Sequence, residues 1–167
     1  MKLFKFGPES GARQSRVAVR EPQQRGLPAV SMERVAGLLR RYGYDFLRDD
    51  DGDLTLTGTW DGNEFWFILG GKAKEVLQIR GRWNRTVRPQ SRTAALLAVN
   101  DWNRDHLWPK AYVRDEGDLV VYSEVSVDFE CGVTDSQLED AISCGLVTAV
   151  QMFNEINVIC ETDLLGE

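Results

Sequence analysis

Histidine is nearly absent from this chain: of 167 residues only His106 carries an imidazole. Metal centres built on several imidazoles, and Ser-His-Asp machinery with a spare base, are constrained by that single count. Cysteine is scarce as well, and its three copies (Cys131, Cys144 and Cys160) are an odd number, which argues against a disulfide framework. Cys144 and Cys160 fall in one expected helix, about 24 Å apart and far beyond disulfide reach. Reduced thiols in a cytoplasmic protein follow from that reading. No apolar run approaches the roughly 20 residues a membrane helix needs. The start, Met1-Lys2-Leu3-Phe4-Lys5-Phe6-Gly7, is basic but lacks the apolar stretch of a signal peptide.

Nucleotide and calcium signatures are also missing. Gly70-Gly71-Lys72 suggests a phosphate loop, yet that motif needs glycine where Trp66 stands and Ser or Thr where Ala73 stands. No G-x-G-x-x-G fingerprint occurs. The acidic run Asp49–Asp53 would serve a calcium loop only with an acid at Leu47 and a glutamate at Gly58. Asp and Gly are instead what a solvated hairpin turn requires. Asn84-Arg85-Thr86 matches a glycosylation pattern, which means nothing without a secretory signal. A Cys–His pair needs spatial neighbours, and Cys144 is expected on the core side of a helix, Cys131 at a strand end. No catalytic, cofactor-binding or metal-ligating set emerges, and an enzyme is not expected.

What the chain does have is ordinary globular material. Apolar residues make up 43% and charged residues 28%, enough for one domain with a substantial core. Charge is uneven. Residues 1–28 hold six bases (Lys2, Lys5, Arg13, Arg16, Arg20, Arg25) against two acids (Glu9, Glu21), which is +4 and leaves −10 for the rest of a chain of net charge −6. An acidic body repels nucleic acid and anionic membrane, while a basic tail can still touch either.

Residues 1–30, rich in Gly, Pro, Gln, Ser and Arg, are expected to be a flexible basic tail, pinned by Leu3, Phe4 and Phe6. An ordered domain over 31–160 follows, and 161–167 is a second tail. Ser31 caps a first helix carrying Met32, Val35, Ala36, Leu38, Leu39 and Tyr42 at helical spacing, and Gly43 ends it. Four strands come next: a marginal one at Tyr44–Arg48, an alternating one at Leu54–Trp60, then Glu64–Leu69 and Glu75–Trp83, with Asp61-Gly62 as a hairpin turn. Phe65–Leu69 is apolar on both faces and is expected to lie mid-sheet, covered on both sides. Pro89 opens a second helix with the stripe Ala94, Ala95, Leu97, Ala98, Val99 and Trp102. Strands at Lys110–Arg114 and Leu119–Phe129 follow. Thr134 and Gln137 then form a capping box for a last helix with Leu138, Ile142, Leu146, Ala149, Phe153 and Ile156 on one face. This segregation predicts an α+β fold in which helices flank an antiparallel sheet, in the order α-β-β-β-(β)-α-β-β-α.

Two surfaces are candidates for function. Trp66 and Ile68 on the double-faced strand, with Val147 and Val150 widening the last helix, are surplus apolar area for a dimer or a protein client. Arg80, Arg82, Arg85, Arg88 and Arg92 bracket Trp83 and form a basic patch of the kind that holds a nucleic-acid backbone and stacks a base. The acidic body favours the plainer reading, in which these arginines pair with carboxylates. Asn100 and Asn103, one turn apart on the second helix, are suited to holding the Trp108-Pro109 turn.

Val99-Asn100-Asp101-Trp102-Asn103-Arg104, then Trp108-Pro109-Lys110-Ala111-Tyr112-Val113, resembles the YbjN family of bacterial proteins. So do Glu75-Val76-Leu77-Gln78-Ile79, Glu124-Val125-Ser126-Val127-Asp128-Phe129 and the following Gly132-Val133-Thr134. The resemblance spans about residues 30–157. It implies a regulator of sensory transduction with a fold similar to type III secretion chaperones, which are small acidic homodimers that bind extended client segments. It supplies no catalytic residues and no cofactor. The function it implies is therefore chaperone-like or regulatory protein binding, with a nucleic-acid-associated regulator as the alternative.

Overall fold

In the computed structural model, residues 26–56 and 60–164 are described, the last seven of them by backbone alone. Helix α1 (Met32–Arg41) starts where Ser31 accepts from the Arg34 amide and stops at Gly43, whose φ of 76° is open to glycine at no steric cost. Strands β1 (Phe46–Arg48), β2 (Leu54–Leu56), β3 (Glu64–Gly70) and β4 (Val76–Arg82) follow. A 3-10 turn at Pro89–Ser91 leads into α2 (Arg92–Asp105), then β5 (Lys110–Asp115), β6 (Leu119–Asp128) and α3 (Asp135–Leu164). The Thr134–Gln137 capping box forms in both directions: the Gln137 amide donates to Thr134 Oγ1, and the Thr134 amide donates to Gln137 Oε1. All six strands are antiparallel in the order β1-β2-β3-β4-β6-β5, so the hairpin β5–β6 folds back with β6 inside and β5 at the edge.

Among the described residues, helices cover one face of the sheet. Leu54, Leu56, Phe65, Phe67, Leu77, Ile79, Val121 and Val125 share a parity and form one core with Val35 and Leu39 of α1 and with Ala95, Val99 and Trp102 of α2. The α3 stripe, Leu138 through Ile156, completes it. Gly145 of α3 lies so close to the sheet that a Cβ there would stand 2.8 Å from Ile79 Cδ1. Helix and strand backbones meet there with no side chain between them.

Three expectations need correction. β3 is central in the sheet, but among the described residues helices cover only one of its faces, because α1, α2 and α3 pack on the same side; Trp66 and Ile68 on the other face are half-buried. Leu97 is 59% exposed and leaves the α2 stripe, since that helix rests on the sheet through Ala95, Ala98, Val99 and Trp102. Trp60 is a turn residue with φ of 69°, not the end of a regular strand. Residues 57–59 of the expected strand, and residues 1–25 of the expected tail, lie outside the described residues.

Candidate protein-binding face

The helix-free face of the sheet is built by alternation. Every second residue of β3 to β6 points there: Trp66 and Ile68, then Gln78, Arg80 and Arg82, then Tyr122 and Glu124, then Lys110, Tyr112 and Arg114. Register sets them in rows. Trp66 pairs with Arg80, Arg80 with Glu124 and Glu124 with Lys110. In the next row Glu64 pairs with Arg82, Arg82 with Tyr122 and Tyr122 with Tyr112.

Each row is electrostatically closed. Glu124, whose side chain is 12% exposed, lies 3.8 Å from Arg80 Nε, receives Lys110 Nζ and takes a hydrogen bond from Tyr112 Oη at 3.5 Å. Arg80 also donates to Gln78 Oε1 at 2.6 Å. Arg82 sits between Glu64 at 3.8 Å and Glu116 at 3.4 Å, and Tyr122 Oη donates to Glu116 at 2.6 Å. The Tyr112 and Tyr122 rings stack at 5.5 Å, with Lys110 over the first and Arg114 over the second.

These contacts set the protonation of the face. Burial raises both phenols above their ordinary range, Tyr122 with further help from Glu116. The hydrogen bond from Tyr122, with the Arg82 charge beside it, holds the Glu116 carboxyl below its ordinary value. Protonated phenols and satisfied carboxylates are poor acids, bases and nucleophiles at neutral pH. A flat, partly apolar face of stacked aromatics is instead suited to covering another surface.

The candidate partner residues divide between two places. Trp66 and Ile68 are on the open face. Val147, 54% exposed, and Val150, packed at the core margin, are on α3, which covers the opposite side. The basic patch divides too. Arg80 and Arg82 are inside the rows just described, Arg92 at the start of α2 pairs with Asp115 at 3.4 Å, and Arg85 and Arg88 are exposed on the loop after β4. Tyr112, Tyr122, Lys110, Glu116 and Glu124 were not singled out from sequence; the alternation of β5 and β6 holds the signal that finds four of them.

Asn103 and Trp102 hold the chain that enters β5. Trp102 Nε1 donates to Pro109 O at 3.0 Å, so the Trp108-Pro109 turn is fixed by Trp102 rather than by Asn100 and Asn103. Asn103 pairs with both backbone groups of Ala111, at 2.9 and 3.0 Å, as a neighbouring strand would. Asn100 is exposed. His106 caps α2, stacks on Trp102 at 3.7 Å and borders a cavity of about 110 Å³ with Asp101, Asp105 and Glu155. Burial raises the Cys144 thiol, while Cys131 is exposed. Among the described residues no group of three or more His, Cys, Asp or Glu is placed to hold a metal ion, and no helix is long and apolar enough to cross a membrane.

The sequence model of the YbjN family, described as "Putative bacterial sensory transduction regulator", matches residues 31–157. No curated protein matches the chain. Among solved structures, it is similar to "YbjN, a putative transcription regulator" from E. coli, with a TM-score of 0.68 at 17% identity over 79% of this chain and 94% of that one. It is also similar to an uncharacterized protein from Methanothermobacter thermautotrophicus, with a TM-score of 0.54 at 13% identity over 78% of this chain and 99% of that one. A chain of the HopA1–SchA chaperone–effector complex is matched with a TM-score of 0.47 at 15% identity over 75% of this chain and 98% of that one. At these identities the likeness to the first two is one of fold.

Proposed function

The chain belongs to the YbjN family, and from that premise we propose that it is a non-catalytic protein-binding domain with a regulatory or chaperone-like role, acting in the cytoplasm as a homodimer. The observation that carries this reading is the helix-free sheet face, where Trp66, Ile68 and Tyr112 lie half-buried among matched charges. Aromatic anchors ringed by satisfied polar groups are what protein interfaces use. The family's description as regulators agrees with a function exerted through partners. Val147 on α3 supplies a second apolar position, and the free Cys131 and Cys144 fit a reducing compartment.

The nucleic-acid reading of Arg80 to Arg92 has less support. Arg80, Arg82 and Arg92 already face carboxylates, and phosphate binding would have to break those pairs.

The test is affinity capture from host lysate, with nuclease, by the full chain and by two variants. Trp66→Glu with Ile68→Glu alters the open face; Val147→Glu alters the helix. A stoichiometric protein retained by Val147→Glu and lost by the double variant is the expected result. Material lost on nuclease treatment alone would overturn the reading in favour of nucleic acid.

A further inference from the structure

The open face divides into an apolar half and a charged half. Register carries the Trp66 row onward to Thr55 and Leu47, so Leu47, 65% exposed, joins Trp66 and Ile68 on β1 and β3. Three interstrand spacings from β3, about 14 Å away, Lys110, Tyr112 and Arg114 line the outer strand β5. Every cation in this half has a partner, but the sharing is uneven. Glu124 serves both Arg80 and Lys110, and Glu116 serves both Arg82 and Arg114. Four cations thus share two carboxylates, an excess that Glu64, beyond Arg82 on β3, only partly offsets. Depth adds to it. The side chains of Lys110 and Arg114 are 60% and 53% exposed, whereas those of Glu124 and Glu116 are 12% and 30% exposed. Arg114 Nε stands 4.0 Å from Glu116, beyond hydrogen-bonding distance, and Lys110 gives Glu124 one of an ammonium's three donors. The exposed carboxylates Glu64 and Asp128 stand at the ends of β3 and β6. A chain of net charge −6 therefore presents cations to solvent along β5.

We infer that the open face takes a protein segment apolar on one flank and acidic on the other, which seats its apolar side chains on Leu47, Trp66 and Ile68 and directs Asp or Glu side chains to Lys110 and Arg114. This partner chemistry rests on the protein-binding reading of the face. Charge complementarity carries it: an acidic chain repels an acidic segment in general, and the uneven sharing along β5 is what admits one here. Lys110 and Arg114 are held ready for it, since each lies over a ring of the stacked Tyr112–Tyr122 pair. A nucleic-acid backbone supplies the negative charge but no apolar side chain for Leu47, Trp66 and Ile68.

Selection of a phage-displayed library of random peptides, about sixteen residues long, on the full chain tests this. Non-specific attraction to a chain of net charge −6 enriches basic peptides, so the inference predicts against the background. The expected winners combine large apolar residues with a net charge of about −3. They should bind at least tenfold more weakly to Lys110→Glu with Arg114→Glu, and to Trp66→Glu with Ile68→Glu, each checked for folding by circular dichroism. The milder Lys110→Gln with Arg114→Gln, expected to cost about threefold, serves should the charge reversal unfold the chain. Basic or neutral winners that still need Trp66 and Ile68 would overturn the acidic partner and leave the protein-binding reading in place. Winners indifferent to Trp66 and Ile68 would overturn both. Acidic winners indifferent to Lys110 and Arg114, displacement of the winners by micromolar duplex DNA, or no enrichment at all would each overturn the inference.

Discussion

Arg34 is one of the most heavily used side chains in the described structure. Its guanidinium donates to the Pro28 and Ala29 carbonyls at 3.1 and 2.7 Å, to the Val133 carbonyl at 2.8 Å and to Asp135 at 2.6 Å. One residue thus joins the entering chain, α1 and the start of α3. Arg34→Met keeps the stem but removes the donor from the Ala29 and Val133 carbonyls and the ion pair to Asp135, while the Pro28 carbonyl keeps the Val133 amide; it is expected to cost about 1 kcal/mol in urea unfolding. Glu116 makes a different kind of prediction. Its folded carboxyl lies below the ordinary value, so its stabilisation is present above the unfolded value and lost as pH falls through the folded one. Glu116→Gln should therefore melt lower than wild type at pH 7. The gap should narrow as pH falls below about 4, the ordinary carboxylate range, and close once the folded carboxyl is also protonated. A gap constant across that range would show that Glu116 acts by packing alone.

At the scale of elements, helix faces were the most legible part of the sequence. A stripe of six residues such as Leu138 to Ile156 repeats one signal many times, and all six are buried as expected. Strand coverage was less legible. Phe65–Leu69 is apolar on both sides whether a helix, a partner or water meets Trp66 and Ile68, so alternation predicts the strand but not its cover. Leu97 misled for a related reason, since α2 contacts the sheet over a narrower arc than its apolar residues suggest. The edge of β5 was partly legible: Asn103 was expected to hold the following turn, but its pairing with Ala111 also blocks part of an exposed edge. Gly145 shows what patterning cannot carry. Alanine there gains about 1 kcal/mol in helix propensity, yet its Cβ would stand 2.8 to 3.0 Å from three atoms of Ile79. Ile79 Cβ cannot rotate away, so overpacking at about 1–3 kcal/mol should win. Gly145→Ala is expected to destabilise by about 1 kcal/mol. Ile79→Val removes only Cδ1 and leaves Cβ and Cγ2 in place, so the double variant should keep most of the Gly145→Ala cost, whereas Ile79→Ala, which removes both Cδ1 and Cγ2, should relieve more of it.

At the scale of the whole molecule, the governing fact is that, among the described residues, α1, α2 and α3 share one side of the sheet. The core is complete without the opposite face, so Trp66→Glu with Ile68→Glu should leave a folded protein with a melting temperature within a few degrees of wild type. The same geometry decides the nucleic-acid question. Free arginines on a flat sheet would bind phosphate with a steep salt dependence, each contact adding close to one unit of slope. Here Arg80 and Arg82 are held between Glu124, Glu64 and Glu116, and Arg92 faces Asp115. A phosphate must displace a carboxylate already at each position, and it approaches a body of net −10. Fluorescence anisotropy with a duplex of about 25 base pairs is therefore expected to give a Kd weaker than about 10⁻⁴ M at 150 mM salt, the weak end of non-specific binding. Glu124→Gln, which frees Arg80 and Lys110 together, should tighten it measurably. Micromolar binding by the wild type, lost between 50 and 200 mM salt, would mean that these arginines leave their carboxylates for phosphate and that the face reads a polyanion.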